Sequence, residues 1–345
     1  MKVKSIVLVW ARHSRRAETL AAELGGKISF QYESRMKGYW LTPLRYVVQG
    51  WHTWHLLERE QPQIIVVQAP PIFAALLVAF WCKVWGKIQL RKSLADYAID
   101  CHSGTFYSPR WSWTIPLQRY LSKRAVITIV ASEDALEILQ SWGAKCAFLV
   151  DGIPSLSPAT GAVGSEGEAR VAVISSFDYD EPVEEIFAAA RLVPQVTFYL
   201  SGNPERIASN LLAQKPKNII LTGFLQDSLY SGLLQNVNGV LVLTKEPHVL
   251  NSGAYEALAM AKPIIVSDWP QMRRCFTRGF IYVKNTPEAI ATGVEKMLDE
   301  QRILSNEVIA MRSEFVIRRQ CRLEEVTTLL EERASQGPVA VSNQH

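Results

Sequence analysis

The sequence lacks the spacings that mark metal or disulfide frameworks. Its five cysteines, Cys82, Cys101, Cys146, Cys275 and Cys321, are odd in number and at least 19 residues apart. None forms a C-x-x-C pair, so they read as reduced thiols of a cytosolic protein. A membrane-spanning run is also missing: the greasiest stretch, Ile64 to Cys82, is interrupted by Gln68 and by Pro70-Pro71, which reads as strand, turn and buried helix. The apolar stretch Val3–Trp10 precedes, rather than succeeds, the positive residues Arg12, Arg15 and Arg16, the reverse of a signal peptide. A soluble protein is expected. Neither G-x-G-x-x-G nor G-x-x-x-x-G-K-[ST] occurs, which disfavours a dinucleotide oxidoreductase or a P-loop ATPase. No Lys/Arg block exceeds two residues, so nucleic acid is not an expected partner.

What is present is an ordinary globular composition. The chain has 345 residues, 48% hydrophobic and 20% charged, enough for two sizeable cores. Charge is uneven. Residues 1–160 hold 19 Lys and Arg against 11 Asp and Glu, whereas the remainder holds 18 against 22. A basic first half is suited to an anionic substrate or anionic lipid headgroups, although a solvated surface also accounts for it.

Short Val/Ile/Leu runs alternate with helical patterns. In the first half the strands are read at Ser5–Trp10, Ile28–Gln31, Ile64–Gln68, Ile88–Leu90, Val126–Val130 and Ala147–Val150. Helices are read at Arg15–Leu24, Trp51–Glu60, Pro71–Trp85, Trp113–Ser122 and Glu133–Trp142, the last capped by Ser132. Runs that are continuously apolar are buried on both faces, and strand–helix repetition implies a parallel sheet. The Ser/Pro/Gly-rich stretch 154–168 reads as a linker, after which the alternation restarts. The expected organisation is therefore two Rossmann-like, doubly wound parallel-sheet domains of α/β class facing a cleft. They comprise residues 1–153 and 169–300, succeeded by a helical region 301–333 that breaks near Arg312–Phe315 and crosses back, and a disordered tail 334–345.

The segment Leu243 to Asp268 carries most of the chemical information. A strand ends near Leu243, and a helix opens at Asn251, Ser252 and Gly253. Its free N–H groups and dipole suit a phosphate. Glu256, one turn in, either favours its own helix N-terminus or accepts hydrogen bonds from vicinal hydroxyls such as those of a ribose.

Gly-Ala-Tyr-Glu-Ala-Leu-Ala-Met-Ala-Lys-Pro, residues 253–263, resembles the donor-binding motif of GT-B glycosyltransferases, especially glycosyltransferase family four. Glu256 matches the motif's second glutamate, and Ala257, Ala259, Lys262 and Pro263 match the motif positions after it. Ala261 stands where the family usually has Gly, and His248 where its first glutamate is usual. Asp151-Gly152-Ile153-Pro154, Tyr199-Leu200-Ser201-Gly202-Asn203 and Thr222-Gly223-Phe224 are similar to further turns of that family. Its basic pair after the first donor-domain strand is replaced by the acidic Ser175–Glu181. The resemblance implies a GT-B fold with an N-terminal acceptor domain and a C-terminal nucleotide-sugar domain. It implies transfer of a sugar from a nucleotide-diphosphate sugar to a glycan or lipid-linked acceptor, without metal or other cofactor. Donor contacts are then expected from Gly202, Phe224, Thr244, Asn251, Ser252, Gly253, Tyr255 and Glu256, and phosphate contacts from Arg12, Arg15 (with Arg16 beside it), Lys245 and Arg273.

The stretch Asp96–Phe106 is read as a loop after the fourth strand, at a sheet's carboxyl edge. It makes Asp100 and His102 catalytic candidates, with His102 able to titrate near neutral pH; a loop held only by Asp caps is the alternative. His248 is the third catalytic candidate, as a sugar contact. Trp40, Trp51, Trp54, Trp81, Trp85, Trp111 and Trp113 suit either core packing or a sugar or lipid surface, and Arg35, Lys37, Arg110 and Trp111 are expected lipid contacts. Localisation is expected to be cytoplasmic, with peripheral contact to an anionic inner membrane face. A sugar-nucleotide epimerase of the same architecture and a catalytically silent sugar-nucleotide binder are the alternative functions.

Overall fold

The computed structural model describes residues 3–34, 36, 38–85, 95–160 and 168–336. The expected strand Ile88–Leu90, the contacts Arg35 and Lys37, and most of the expected tail lie outside them. Two compact units form: Met1–Gly152 with Arg318–His345, and Ile153–Ile317.

In the first unit β1 (Ser5–Val9), β2 (Lys27–Phe30), β3 (Ile64–Ala69), β4 (Asp96–Cys101), β5 (Thr128–Val130) and β6 (Cys146–Phe148) form one parallel sheet in the order β2-β1-β3-β4-β5-β6. Every residue of β1 and β3 is buried, as continuously apolar strands require, and each such Ile or Val contributes about 1.5–3 kcal/mol. Asp96–Cys101, expected as a loop, is instead the fully buried central strand β4. Its two carboxylates survive burial because each is paired. Asp96 meets Lys83 and the Arg333 Nε (2.6 Å), and Asp100 meets Arg16.

The second unit holds β7 (Ala169–Val173), β8 (Val196–Ser201), β9 (Ile219–Gly223), β10 (Gly239–Val242), β11 (Ile264–Ser267) and β12 (Phe280–Val283), parallel in the order β12-β11-β10-β7-β8-β9. Chain direction along the sheet reverses between β7 and β10, the switch point where ligands of such sheets collect at the strands' carboxyl ends.

Caps obey the sequence signals: Ser132 accepts from the Ala135 N–H at 3.1 Å, and Thr286 from the Ala289 N–H at 3.3 Å. Between β8 and β9 the chain forms two short turns, Pro204–Arg206 and Ser209–Leu212. The expected break in the last helix is absent, and Gln301–Ser335 is one helix of 35 residues. It contains neither Gly nor Pro. Its buried residues Leu304, Val308, Met311, Phe315, Arg319, Leu323, Val326 and Leu330 recur every three or four positions, so a single stripe runs its whole length. From Arg318 onward it belongs to the first unit. There Arg319 pairs with Glu23 (Nη2 to Oε2, 2.8 Å), and Leu323, Val326 and Leu330 join the core under β1 and β3.

Candidate functional site

At the second unit's switch point, the helix Ser252–Ala259 opens beyond β10. Gly253 seats its first turn against the residue just after β7: a Cβ there would lie 2.8 Å from the Ile174 Cγ2, so the glycine allows close approach of helix and chain. Asn251 stands at the N-cap, but its side chain makes no capping bond, and its Oδ1 is buried without a hydrogen-bond partner among the described residues. The first-turn N–H groups keep the positive end of the helix. Glu256 is only 7% exposed, and its Oε2 accepts a hydrogen bond from the Tyr230 hydroxyl.

Tyr255, expected to touch the donor, is instead core. It lies edge-on to Phe276 (5.3 Å) and Phe315 (5.7 Å) and is 2% exposed. A residue adjacent to Glu256 on a helix points about 100° away from it, so the two buried side chains diverge, Tyr255 into this aromatic cluster and Glu256 toward Tyr230.

Thr244 is fully buried and organises the loop beyond β10. Its hydroxyl donates to Asp180 Oδ2 (3.1 Å) and its N–H to Ser267 Oγ (2.9 Å), while its carbonyl accepts from Trp269 Nε1 and Asn285 Nδ2, each at 2.9 Å. Lys245 comes next, exposed, with its N–H on the Asp180 carbonyl at 2.6 Å. His248 lies half-buried in the turn before the helix. Gly202 follows β8 with φ +111°, where a Cβ would meet the Ser175 carbonyl at 2.4 Å; no other residue fits. Phe224, just after β9, is largely exposed. Arg273 pairs with Asp268 (Nε to Oδ1, 2.5 Å) and lies over the Tyr282 ring at 4.3 Å. The hydrogen bond from Arg273 holds the Asp268 carboxyl below its ordinary value.

Sequence reasoning missed the role of Glu181. Its carboxylate folds back onto the loop after β7 and accepts the N–H groups of Ser176 (3.0 Å) and Phe177 (2.8 Å) and the hydroxyls of Ser175 and Ser176. Phe177 adopts φ +54° to point its N–H inward. Successive N–H groups converging in this way form an anion-binding concavity, and here the chain's own carboxylate fills it. The signal was the acidic run itself, read only as a missing basic pair.

In the first unit the candidates separate by burial. Arg12 and Arg15 are exposed, with Arg12 5.0 Å from the Tyr32 ring centre. Arg16, grouped with them as a phosphate contact, is buried instead. Its Nε donates to both Asp100 oxygens (2.9 and 3.0 Å), its Nη2 to Asp100 Oδ1 (2.6 Å), and its Nη1 to the Leu149 carbonyl (3.0 Å) and to Asp151. Burial by itself opposes ionisation of Asp100. The Arg16 charge and hydrogen bonds, helped by His102 and Gln68, outweigh that and hold the carboxyl below its usual range. Asp100 is thus enclosed by its protein partners. His102 sits at the carboxyl end of β4, its backbone N–H donating to the Ala69 carbonyl at 2.9 Å. Burial pushes its pKa down, Arg16 adds to that, and Asp100 and Asp151 oppose it. The imidazole is therefore held toward its neutral, proton-accepting form.

Asp178 and Asp180 have protein partners: Asp178 accepts from Arg206 at 3.2 Å, and Asp180 from Thr244. Among the described residues no three His, Cys, Asp or Glu side chains gather as a metal-binding group, and no helix is long and apolar enough to cross a membrane.

No protein-family model and no curated protein matches the chain. Solved structures do. Sucrose-phosphate synthase from Thermosynechococcus elongatus is similar with a TM-score of 0.69 at 14% identity, over 96% of this chain and 98% of that one. Anabaena Alr3699/HepE in complex with UDP and glucose gives 0.66 at 14% identity, over 94% and 100%. A proposed UDP-N-acetylglucosamine 2-epimerase from Listeria monocytogenes gives 0.64 at 12% identity, over 98% of both chains. At such identities the likeness speaks to architecture: the chain has the GT-B-type fold, with two Rossmann-like parallel-sheet units.

Proposed function

We propose that this protein is a metal-independent hexosyltransferase-type glycosyltransferase. It moves a sugar from a nucleotide-diphosphate sugar to a glycan or lipid-linked acceptor in surface polysaccharide or glycoconjugate synthesis, at the cytoplasmic face of a membrane. The observation that carries this reading is Glu256: a carboxylate almost fully buried in the first turns of a helix that opens at the switch point, oriented by the Tyr230 hydroxyl. The family-four resemblance of residues 253–263 and the sugar-nucleotide proteins among the similar structures support it.

In this reading the bond between the anomeric carbon and the phosphate oxygen breaks, and negative charge grows on the departing diphosphate. The first-turn N–H groups at Ser252 and Gly253 and the Lys245 ammonium stabilise that charge. Arg273, shared with Asp268, is the second cation. Glu256 accepts hydrogen bonds from the ribose hydroxyls. The acceptor hydroxyl attacks the anomeric carbon, and the neutral His102 imidazole takes its proton. Asp100 positions that imidazole's surroundings through Arg16, and His248 contacts the sugar. Because Glu181 already fills the concavity after β7, the diphosphate depends on the helix beyond β10 for its anion contacts.

The test is a thermal-shift series with nucleoside diphosphates and their sugars. A ligand at 100 times its Kd raises stability by about 2.7 kcal/mol. Glu256→Gln is expected to weaken donor binding by about 1.5–3 kcal/mol, with Tyr230→Phe intermediate, in a fold that survives. Donor binding by Glu256→Gln equal to wild type rules out the ribose role. An epimerase is the second reading, favoured by the Listeria neighbour; an epimer or free sugar formed from donor alone, with no acceptor, would select it. Binding with neither transfer, hydrolysis nor epimerisation would select a silent sugar-nucleotide binder.

A further inference from the structure

The first unit carries an apolar groove of about 840 Å³ that the proposed sugar transfer leaves unused. Its floor is Trp10, whose indole N–H is already spent on Thr53 Oγ1 at 2.9 Å. Its walls come from two helices. Helix Thr42–Glu60 contributes Tyr46 and Trp54, and helix Ile72–Phe80, which has no charged residue, contributes Phe73, Leu77 and Phe80. The volume falls within the range of ligand pockets, about 300–1,000 Å³. Polar groups able to hold a sugar are nearly absent from the lining, which favours a hydrocarbon occupant.

The rim is equally telling. Leu44, Val47 and Trp51 recur at spacings of three and four on helix Thr42–Glu60, with Trp40 in the single 3-10 turn just before it. They face solvent: Trp40 is 90% exposed, Val47 68% and Trp51 63%. A soluble helix turns such a stripe inward. Across the groove Trp113, also mostly exposed, lies 5.9 Å from Phe73. Cations border the same patch. The Arg45 guanidinium lies 5.8 Å from the Tyr46 ring centre and 5.9 Å from that of Tyr32, which Arg12 also approaches at 5.0 Å; Arg110 lies 5.5 Å from the Trp111 ring centre and acts electrostatically on Tyr46. Apolar walls, a tryptophan rim and flanking arginines are the chemistry of a bilayer interface with anionic headgroups.

We propose that this groove and its rim seat the first unit on an anionic membrane leaflet, with a lipid hydrocarbon chain in the groove and lipid phosphates against Arg12, Arg45 and Arg110. The inference deepens the membrane side of the proposed function and names its surface. It does not require that the donor reading hold, because donor binding is tested separately by thermal shift.

The experiment is vesicle co-sedimentation of the full chain with phosphatidylcholine alone and with phosphatidylglycerol admixed, together with quenching of tryptophan fluorescence by lipids brominated on their acyl chains. Binding is expected only with anionic vesicles, weakening as salt rises, and the brominated chains should quench. Val47→Glu and Trp51→Glu, both at exposed positions, should each reduce partitioning about tenfold or more, with circular dichroism and nucleotide-sugar binding unchanged. Arg45→Gln with Arg110→Gln should remove most of the salt-sensitive part. Partitioning of Val47→Glu equal to wild type overturns the proposal, as does quenching that persists unaltered in Trp51→Glu. Two further results also overturn it: a dimer in sedimentation that Val47→Glu dissolves while vesicles are ignored, which makes the occupant a second copy, and binding of a soluble short-chain prenyl phosphate without any vesicle binding, which makes it a single lipid acceptor.

Discussion

Arg16 and Asp100 are 84 residues apart in sequence and joined by three N–H···O contacts of 2.6 to 3.0 Å, with both side chains almost wholly removed from solvent. This pair sits where β4 ends and His102 begins, so it sets the charge environment of the first unit's candidate site.

Arg16→Met is expected to cost about 3–5 kcal/mol, because it strands a buried carboxylate. Denaturant midpoints check this. Asp100→Asn together with Arg16→Met should cost clearly less than Arg16→Met alone. Since the folded-state pKa of Asp100 lies below its unfolded value, the stability it contributes is complete above the ordinary carboxylate pKa near 3.9. It is lost as pH falls through the lower folded value. The acid limb of the stability profile should therefore flatten in the doubly substituted protein.

His102→Ala is expected to lower turnover by about 10²–10⁴-fold with little change in donor KM, as loss of a proton acceptor does. Its depressed pKa places the acid limb of the rate profile below the usual histidine value near 6.5. Full turnover by the alanine variant at saturating donor and acceptor would show the residue to be structural.

Glu181→Gln removes the negative charge that occupies the Ser176 and Phe177 N–H groups. Nucleoside diphosphate affinity should rise about three- to tenfold, while the loop loses about 1–2 kcal/mol of stability. Isothermal titration paired with thermal melts separates the two effects. Unchanged affinity would place the bound phosphates beyond this loop's reach.

Ala261 holds φ +54° just past the helix Ser252–Ala259, with the Lys262 N–H returning to the Ala257 carbonyl at 3.1 Å. This is the left-handed position of a helix C-terminus, where glycine fits best. Ala261→Gly should be neutral to stabilising by up to about 1 kcal/mol, the relief of strain outweighing the extra freedom of the unfolded chain. A lower urea midpoint for the glycine variant would contradict this.

Much was legible from the residues alone. Strands such as Ile64–Ala69 and Phe280–Val283 are runs of branched apolar residues that no other element can bury on both faces, and caps such as Ser132 and Thr286 act within a few residues. Periodicity and capping are local, so the order of elements and the helix carrying Glu256 can be read along the chain. What required the fold is everything that depends on distant partners. Asp96–Cys101 has two carboxylates and reads as a loop until Arg16 and Arg333, 84 and 237 residues away, neutralise them inside a sheet. Tyr255 and Glu256 are neighbours in sequence and both are buried, yet only the fold decides that one packs against Phe276 and Phe315 while the other meets the Tyr230 hydroxyl. An apolar stripe from Leu44 to Trp51 looks the same in sequence whether a core covers it or not. Burial is a property of the whole chain's packing, and it alone turned that stripe outward.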